Sequence, residues 1–398
     1  MTLSRRIHEQ LENARAESLL RRLRTVERWD PCVLMVEGKQ LVDFSSSDYL
    51  CLAHDAEVLG YIESKVAEYG LGAVSSPLIS GYTGLHAALE RMLAVIFRQE
   101  SALLFPSGWQ GNVTVIDALF NKGDIIFSDE MNHASLVDGC RLSKSDVVVF
   151  EHGDYDDLGE NLHSVKAGIR DENLIGIISD TVFSIDGDTA DVPKLIELKR
   201  KYNAVLMLDA AHGLPCIGRE GESLLGFDEY LSEADVVTTS LGKYFAAGGG
   251  MACCSKKLRE FLVNRMRGYI YSSSYSTLLV AAILAAIERI GGDPSLVSGL
   301  KENIEYLRAN LADLGLLGRS GALEGPICAI PVRAERALEA GEKLIGMGLL
   351  VVPVRYPSVP MGTAKLRISI MRGHTRDMMD RLLEGFCKLK TDGFIPSE

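Results

Sequence analysis

Residues 236–243 read Val236-Val237-Thr238-Thr239-Ser240-Leu241-Gly242-Lys243, and Gly248-Gly249-Gly250 follows closely. Val236–Ser240 is short, uncharged and rich in β-branched residues, which predicts a buried strand. A lysine just past such a strand, among glycines that let a ligand approach, suggests a ligand site at the strand's end. Taken alone, Lys243 could be a solvated cation, as most lysines are. Its neighbours favour a buried amine of depressed pKa, the form a Schiff base requires. Thr239 and Ser240 add hydroxyls suited to a phosphate.

Further apolar runs lie on either side, at 101–105, 124–129, 147–150, 174–180, 204–209 and 249–254. They are continuous rather than alternating, as expected of strands covered on both faces. Helical stretches separate most of them. The pattern predicts an α/β fold, with a mostly parallel seven-stranded sheet between helices. After about residue 290 the order changes to a helix at 295–314, a strand at 327–332 and a helix at 333–347. Strands at 349–355 and 365–371 and a helix at 375–389 complete a smaller α+β C-terminal domain. Near the start, Leu3, Ile7, Leu11 and Ala14 predict an amphipathic helix over 3–23, followed by a hairpin of 32–36 and 41–44. The expected division is 1–44, 45–290 and 291–398.

The chain has 398 residues, 47% hydrophobic and 24% charged, enough for a substantial core. Its net charge of -12 argues against nucleic acid or an anionic membrane as the main partner. A small phosphate-bearing ligand is still compatible, because backbone donors and a few arginines can bind it locally. The eight cysteines form no CxxC pair and fit a reducing compartment, so no metal site is expected. The N-terminus MTLSRRIHEQLENARAESLLRR has no apolar signal core, and no uncharged apolar run reaches about 18 residues. These features predict a cytoplasmic protein without a membrane span.

Ligands of open α/β sheets bind beyond the carboxyl ends of the strands. Ser107-Gly108-Trp109, Asp129 to His133, Asp180 to Ser184 and Asp209 to His212 fall there. A carboxylate such as Asp209 at the end of a buried strand needs a cationic partner, which a protonated pyridine nitrogen would supply; a structural acid is the alternative. His212 is within reach of the same ring. His133 can stack on a flat cofactor or simply begin a helix. Asp186 and Asp188 lack a third ligand for a cation, so a turn with a buried hydrogen-bond pair is expected. Arg367 alternates with Leu366 and Ile368 and suits a carboxylate, or else a solvated strand face. His86 reads as a residue that orients a helix.

Several stretches recur together in one family. They include Phe44-Ser45-Ser46-Ser47-Asp48-Tyr49-Leu50, Leu78-Ile79-Ser80-Gly81-Tyr82, Phe105-Pro106-Ser107-Gly108 and His133-Ala134-Ser135-Leu136. Val182-Phe183-Ser184-Ile185-Asp186-Gly187-Asp188, Asp209 to Gly213, Leu241-Gly242-Lys243 and Val359 to Arg367 follow in order. Over nearly its full length the chain resembles the α-oxoamine synthase family of fold-type I pyridoxal-phosphate (PLP) enzymes, most of all its 8-amino-7-oxononanoate synthase branch.

The resemblance implies that Lys243 holds PLP and moves a proton. It implies that Asp209 pairs with the pyridine nitrogen, that His212 and Ser184 meet the ring hydroxyl, and that His133 stacks on the ring. Gly108, Trp109 and Ser240 would hold the phosphate, with Ser273 contributed by the other subunit of a homodimer; Asp180 would lie on the cofactor side. Arg367 would anchor the amino-acid carboxylate, and Ser47, Arg21 and Arg355 would line the substrate side. The implied reaction is a decarboxylating condensation of a small α-amino acid with an acyl thioester, carried by coenzyme A or a carrier protein, to give an α-aminoketone.

Ser47 stands where the family usually has Asn, Cys51 where it has Gly, and Asp180 where it has Glu. Gly72-Ala73-Val74-Ser75-Ser76-Pro77, Ala210 and Ser274-Tyr275-Ser276 also depart from its pattern. These changes bear on specificity. Glycine C-acetyltransferase, 5-aminolevulinate synthase and serine palmitoyltransferase types stay open, as does an aminotransferase or lyase on the same fold. A non-catalytic partner subunit is disfavoured by the retained Lys243, Asp209 and His212.

Overall fold

The computed structural model describes residues 2–396 apart from 18, 29, 167, 214, 216, 218–222, 225, 227 and 318–323. The first helix, Leu3–Ala16, is shorter than its sequence pattern. Glu17 N bonds back to Asn13 O, and Leu19 N and Leu20 N both return to Ala14 O, which closes a terminating turn. Leu3, Ile7 and Leu11 stay exposed, so no packing energy sustains further turns. Strands β1 (Val26–Arg28), β2 (Val33–Val36) and β3 (Lys39–Asp43) come next. The β2–β3 turn places Glu37 and Gly38 at φ 50° and 77°, the left-handed pair that a two-residue hairpin turn needs.

Seven strands build the main sheet: β4 (Ser101–Phe105), β5 (Ile125–Asp129), β6 (Asp146–Phe150), β7 (Ile175–Asp180), β8 (Val205–Asp209), β9 (Val236–Ser240) and β10 (Gly250–Cys254). Their order is β4-β10-β9-β8-β7-β5-β6, and β10 alone runs antiparallel to its neighbours. The central strands β7, β8, β9 and β10 are almost wholly buried, which explains their unbroken apolar runs. The edge strand β6 differs: Val147 and Val149, which share one face, are exposed, whereas the other edge strand, β4, is almost wholly buried. Leu103, Phe105, Ile126, Ile178, Met207 and Ala252 form one core with Val115 and Ile116 of the helix Gly108–Leu119 and Leu136 of the helix Ala134–Ser143. Each of these side chains larger than alanine contributes roughly 1.5–3 kcal/mol by leaving water. Because β5, β7, β8 and β9 are parallel, Asp129, Asp180, Asp209 and Ser240 all emerge at one edge of the sheet.

Strands β11 (Ile327–Pro331), β12 (Leu349–Leu350), β13 (Val352–Val354) and β14 (Lys365–Ser369) follow. β12 adds to β3 in parallel, pairing Leu349 with Val42, and β13 pairs antiparallel with β14. By contacts the chain forms two units, Met1–Ser45 with Ala329–Ile368 and Thr375–Glu398, and Ser46–Cys328 with Ser369–His374. The N-terminal hairpin thus shares a unit with later residues, since β12 completes its sheet. The helix Ser295–Asp313 lies in the larger unit, where Asn303 Nδ2 donates to the carbonyls of Met371, Arg372 and His374.

Candidate active site

The strand ends of the larger unit gather most of the residues singled out above. Lys243, just past β9, places Nζ 2.6 Å from Nε2 of His212, and the ring's Nδ1 lies 2.7 Å from the hydroxyl of Tyr49. Tyr49 is fully buried and His212 nearly so. The His212 carbonyl accepts the hydroxyl of Tyr244, whose ring lies 4.9 Å from that of Tyr49.

Asp209 ends β8 with its carboxylate buried. Oδ1 accepts Ala211 N at 2.9 Å and Oδ2 accepts Asn112 Nδ2 at 2.7 Å. The same amide nitrogen reaches Ser135 Oγ at 2.8 Å, and that hydroxyl lies 2.7 Å from His133 Nδ1. A continuous polar chain therefore joins Asp209 to His133. Burial holds the His133 imidazole below its ordinary pKa; the Asp209 charge works against this and the Lys243 charge with it.

Asp180, opposite Asp209 across β7 and β8, accepts His133 N at 2.7 Å through Oδ2, while its own N donates to Asn132 Oδ1. Burial first, and then Asp209, pushes the Asp180 carboxyl well above its ordinary pKa. Its side chain thus holds the turn that begins the helix at His133. Ser184 lies half-buried in the loop after β7.

Ser107 caps the helix Gly108–Leu119, accepting Gln110 N at 3.1 Å. A Cβ on Gly108 would lie 3.3 Å from Ser240 Cβ, so the helix's first N–H groups begin beside the end of β9. Trp109 is half-exposed and Ser273 exposed. His86 orients its helix: it closes a capping box with Thr83, and its Nε2 lies 2.8 Å from Tyr275 O.

Ser47 is half-buried between Ser46, whose Oγ accepts Asp48 N, and Asp48, which caps Leu52 N and Ala53 N. In the smaller unit, Arg21 Nη2 donates to Ser358 Oγ at 3.1 Å and Arg355 Nη2 to Leu20 O at 3.4 Å. Burial and then the Arg21 charge lower the Arg355 pKa. Arg367 sits half-buried on β14, opposite Val352.

Sequence reasoning assigned no role to Tyr49, Asn112, Ser135 or His152. His152 carried a usable signal, since it stands just past the carboxyl end of β6. Its ring bridges Asp129 and Asp188, and the latter belongs to the loop expected to hold a buried hydrogen-bond pair. Among the described residues no cluster of three metal ligands occurs, and no helix is long and apolar enough to cross a membrane.

The arrangement is an amine, two imidazoles and a buried carboxylate at the strand ends of a seven-stranded sheet. The family model for aminotransferase class I and II matches residues 39–386, and the chain belongs to that family. Within it the chain is a PLP-dependent α-oxoamine synthase of the 8-amino-7-oxononanoate synthase-like group. It is 38% identical to 8-amino-7-oxononanoate synthase of Alkalilimnicola ehrlichii over 96% of both chains. It is 33% identical to that of Lysinibacillus sphaericus over 96% of this chain and 97% of the relative. In structure it matches serine palmitoyltransferase of Sphingomonas wittichii with a TM-score of 0.90 over 100% of both chains at 24% identity. It matches 8-amino-7-oxononanoate synthase of Francisella tularensis with a TM-score of 0.72 at 25% identity, over 88% of this chain and 98% of the other. Serine palmitoyltransferase structures of this fold contain PLP.

The residues present fit PLP. Lys243 provides a primary amine, Asp209 a buried carboxylate, and the helix beginning at Gly108 a set of N–H donors next to the Ser240 hydroxyl.

Proposed function

We propose that the chain condenses a small α-amino acid with an acyl thioester and releases carbon dioxide. The balanced reaction takes one proton: the acyl group leaves sulfur for Cα, the amino-acid carboxylate departs as carbon dioxide, and the thiol and α-aminoketone are freed. The single observation that carries this reading is the Tyr49–His212–Lys243 chain standing beside Asp209 and His133 in a chain 33–38% identical to the synthases named above.

When bound, PLP supplies an electron sink that stabilises negative charge at the amino-acid Cα. Lys243 would hold the cofactor and later move the Cα proton. As an ammonium it has only donors, so it donates to Nε2 of His212, and the ring donates its Nδ1–H to the Tyr49 oxygen. As a free amine it accepts from Nε2–H, and Tyr49 donates to Nδ1. The protonation state of Lys243 therefore goes with the tautomer of His212 and sets the direction of both bonds. Asp209, fixed by Ala211 N and Asn112, would keep the pyridine nitrogen protonated. His133, held neutral by burial, would offer a flat uncharged face for stacking. His212 and Ser184 would meet the ring hydroxyl, with Asp180 holding His133 in place. Gly108, Trp109 and Ser240 would take the phosphate, and Arg367 the substrate carboxylate. Ser47, Arg21 and Arg355 would shape the acyl side.

A homodimer in the cytoplasm completes the reading, with Ser273 reaching the partner's phosphate site. The exposed Leu71, Val74, Ile79 and Tyr271 give such a dimer an apolar surface to bury. The deciding experiment is a matrix of amino acids against acyl-coenzyme A and acyl-carrier-protein thioesters, with free thiol and carbon dioxide as readouts. Thiol and carbon dioxide released in equal amounts, only when both substrates are present, supports the reaction. Amino-group transfer without thiol release overturns it.

A further inference from the structure

We infer that His152 is a positioning residue, an imidazolium bonded at both ring nitrogens that clamps together the two loops carrying His133 and Ser184. It rests on the roles proposed above for those two residues.

His152 lies just past β6, and its own side chain points to neither of them. Nδ1 lies 2.9 and 3.1 Å from the two carboxylate oxygens of Asp129, and Nε2 lies 2.6 Å from Asp188 Oδ2. A carboxylate only accepts, so both ring nitrogens must donate, and only the doubly protonated ring does so. The ring edge also packs on Phe183, with centroids 4.3 Å apart and planes at 81°. Two further groups face this cluster: Glu130 Oε1 accepts His152 N at 3.2 Å, and Tyr155 lies in the field of Asp129 and Asp188.

Each carboxylate governs one loop. Asp129 is buried at the end of β5; its Oδ1 accepts Met131 N at 2.8 Å and its carbonyl accepts Asn132 N, which turns the chain into His133. Asp188 closes the loop after β7. Its carbonyl accepts Phe183 N, and Gly187 N returns to Phe183 O, with Ser184 inside the turn. Among the described residues the buried Asp188 Oδ1 has no hydrogen-bond partner, so the bond from His152 to Oδ2 matters all the more. Gly187, at φ 80°, seats the same loop so closely that a Cβ would fall 2.1 Å from Ile327 O. β5 and β7 are neighbours in the sheet, so a single ring spans both loops. Without it, two carboxylates would face each other with no cation between them, and the loops would separate.

The test uses the PLP-loaded enzyme with nitrogen-15 histidine. At pH 8 one imidazole should show both nitrogens protonated, and that signal should vanish in His152→Gln; a neutral His152 ring at pH 8 overturns the proposal. In His152→Gln and in the milder Asp188→Asn, PLP affinity should fall by at least about tenfold, the scale of losing an orienting partner. The visible circular dichroism of bound PLP should shrink with it. Unchanged affinity and dichroism in a folded variant, with only a lower melting point, would reduce His152 to a structural residue and overturn the proposal. These readouts need only bound PLP, so a wild-type enzyme that condenses no substrate pair would count against the proposed reaction alone.

Discussion

Nζ of Lys243 and Nε2 of His212 stand 2.6 Å apart, and the far side of the same ring meets the Tyr49 hydroxyl at 2.7 Å. The amine proposed to hold the cofactor is thereby linked to a buried imidazole and, through it, to a buried hydroxyl. Replacing Lys243 with Ala should remove the covalent anchor and the proton carrier together. Thiol release should fall by roughly 10²–10⁴-fold or more. Borohydride should then leave no pyridoxyl label on the peptide containing position 243. A label retained elsewhere on the chain would show that another lysine holds the cofactor.

Tyr49→Phe tests the far end of the same chain. The ring stays, but Nδ1 of a buried imidazole loses the Tyr49 hydroxyl, a loss of about 1–3 kcal/mol. PLP should still bind, whereas the pH dependence of thiol release should shift, because the Tyr49 hydroxyl no longer helps fix the tautomer that His212 presents to Lys243. A pH profile superimposable on wild type would mean that Tyr49 does not influence the protonation of the Lys243–His212 pair.

Asn112 is buried and ties Asp209 to Ser135 and, through it, to His133. Asn112→Leu keeps the volume and removes the donor. Asp209 then loses a charge-assisted bond, at a cost of roughly 1.5–3 kcal/mol. The prediction is weaker PLP binding in fluorescence titration and a faster loss of cofactor on dilution. Serine at 135 should matter less for affinity, since Ser135→Ala leaves the Asn112–Asp209 bond in place.

The fold was legible because burial leaves a direct trace in composition. β7 to β10 are covered on both faces and therefore read as unbroken apolar runs. The same logic failed at Val147 and Val149, which look like core residues but lie on an edge strand. It also overextended the first helix, which ends at Ala16 and whose Leu3, Ile7 and Leu11 stay exposed. Within the candidate site, Lys243, Asp209, His212 and His133 could be placed together because each lies just past or at a strand end, a position that sequence can locate. Tyr49 and Asn112 were not, since their role is a contact made across the tertiary structure with residues far off in sequence. Spacing along the chain carries no record of such contacts.

Gly250 and Gly108 show how tightly the proposed phosphate end is built. A Cβ at position 250 would fall 2.5 Å from both Cα and N of Gly108, and neither backbone atom can yield like a flexible side chain. Gly250→Ala should cost about 1–3 kcal/mol as β10 and the helix are forced apart. Because the displaced atoms begin that helix, cofactor retention should fall more than the urea midpoint suggests. An unchanged PLP off-rate in a destabilised variant would separate this contact from phosphate binding.

Alkaline stability should report on His152. Burial alone would lower its pKa, but hydrogen bonds to Asp129 and Asp188, and then their charges, more than offset this and raise it to about 10 from an ordinary 6.5. The folded chain then holds a proton that the unfolded chain releases near pH 6.5. That contribution is present in full below pH 6.5, declines above it, and is gone once pH passes about 10. His133 acts in the opposite window: its folded pKa is lowered, so it costs stability only as pH falls below the unfolded value. Melting temperatures of wild type and His152→Gln, measured between about pH 6 and pH 10, should therefore lie far apart at the acidic end and converge as pH rises. Tyrosines and lysines that titrate in the same range affect both proteins alike, so the difference between the curves isolates the imidazolium. Parallel curves across the range would mean that the ring loses its proton well below pH 10 and that the two carboxylates do not hold it charged.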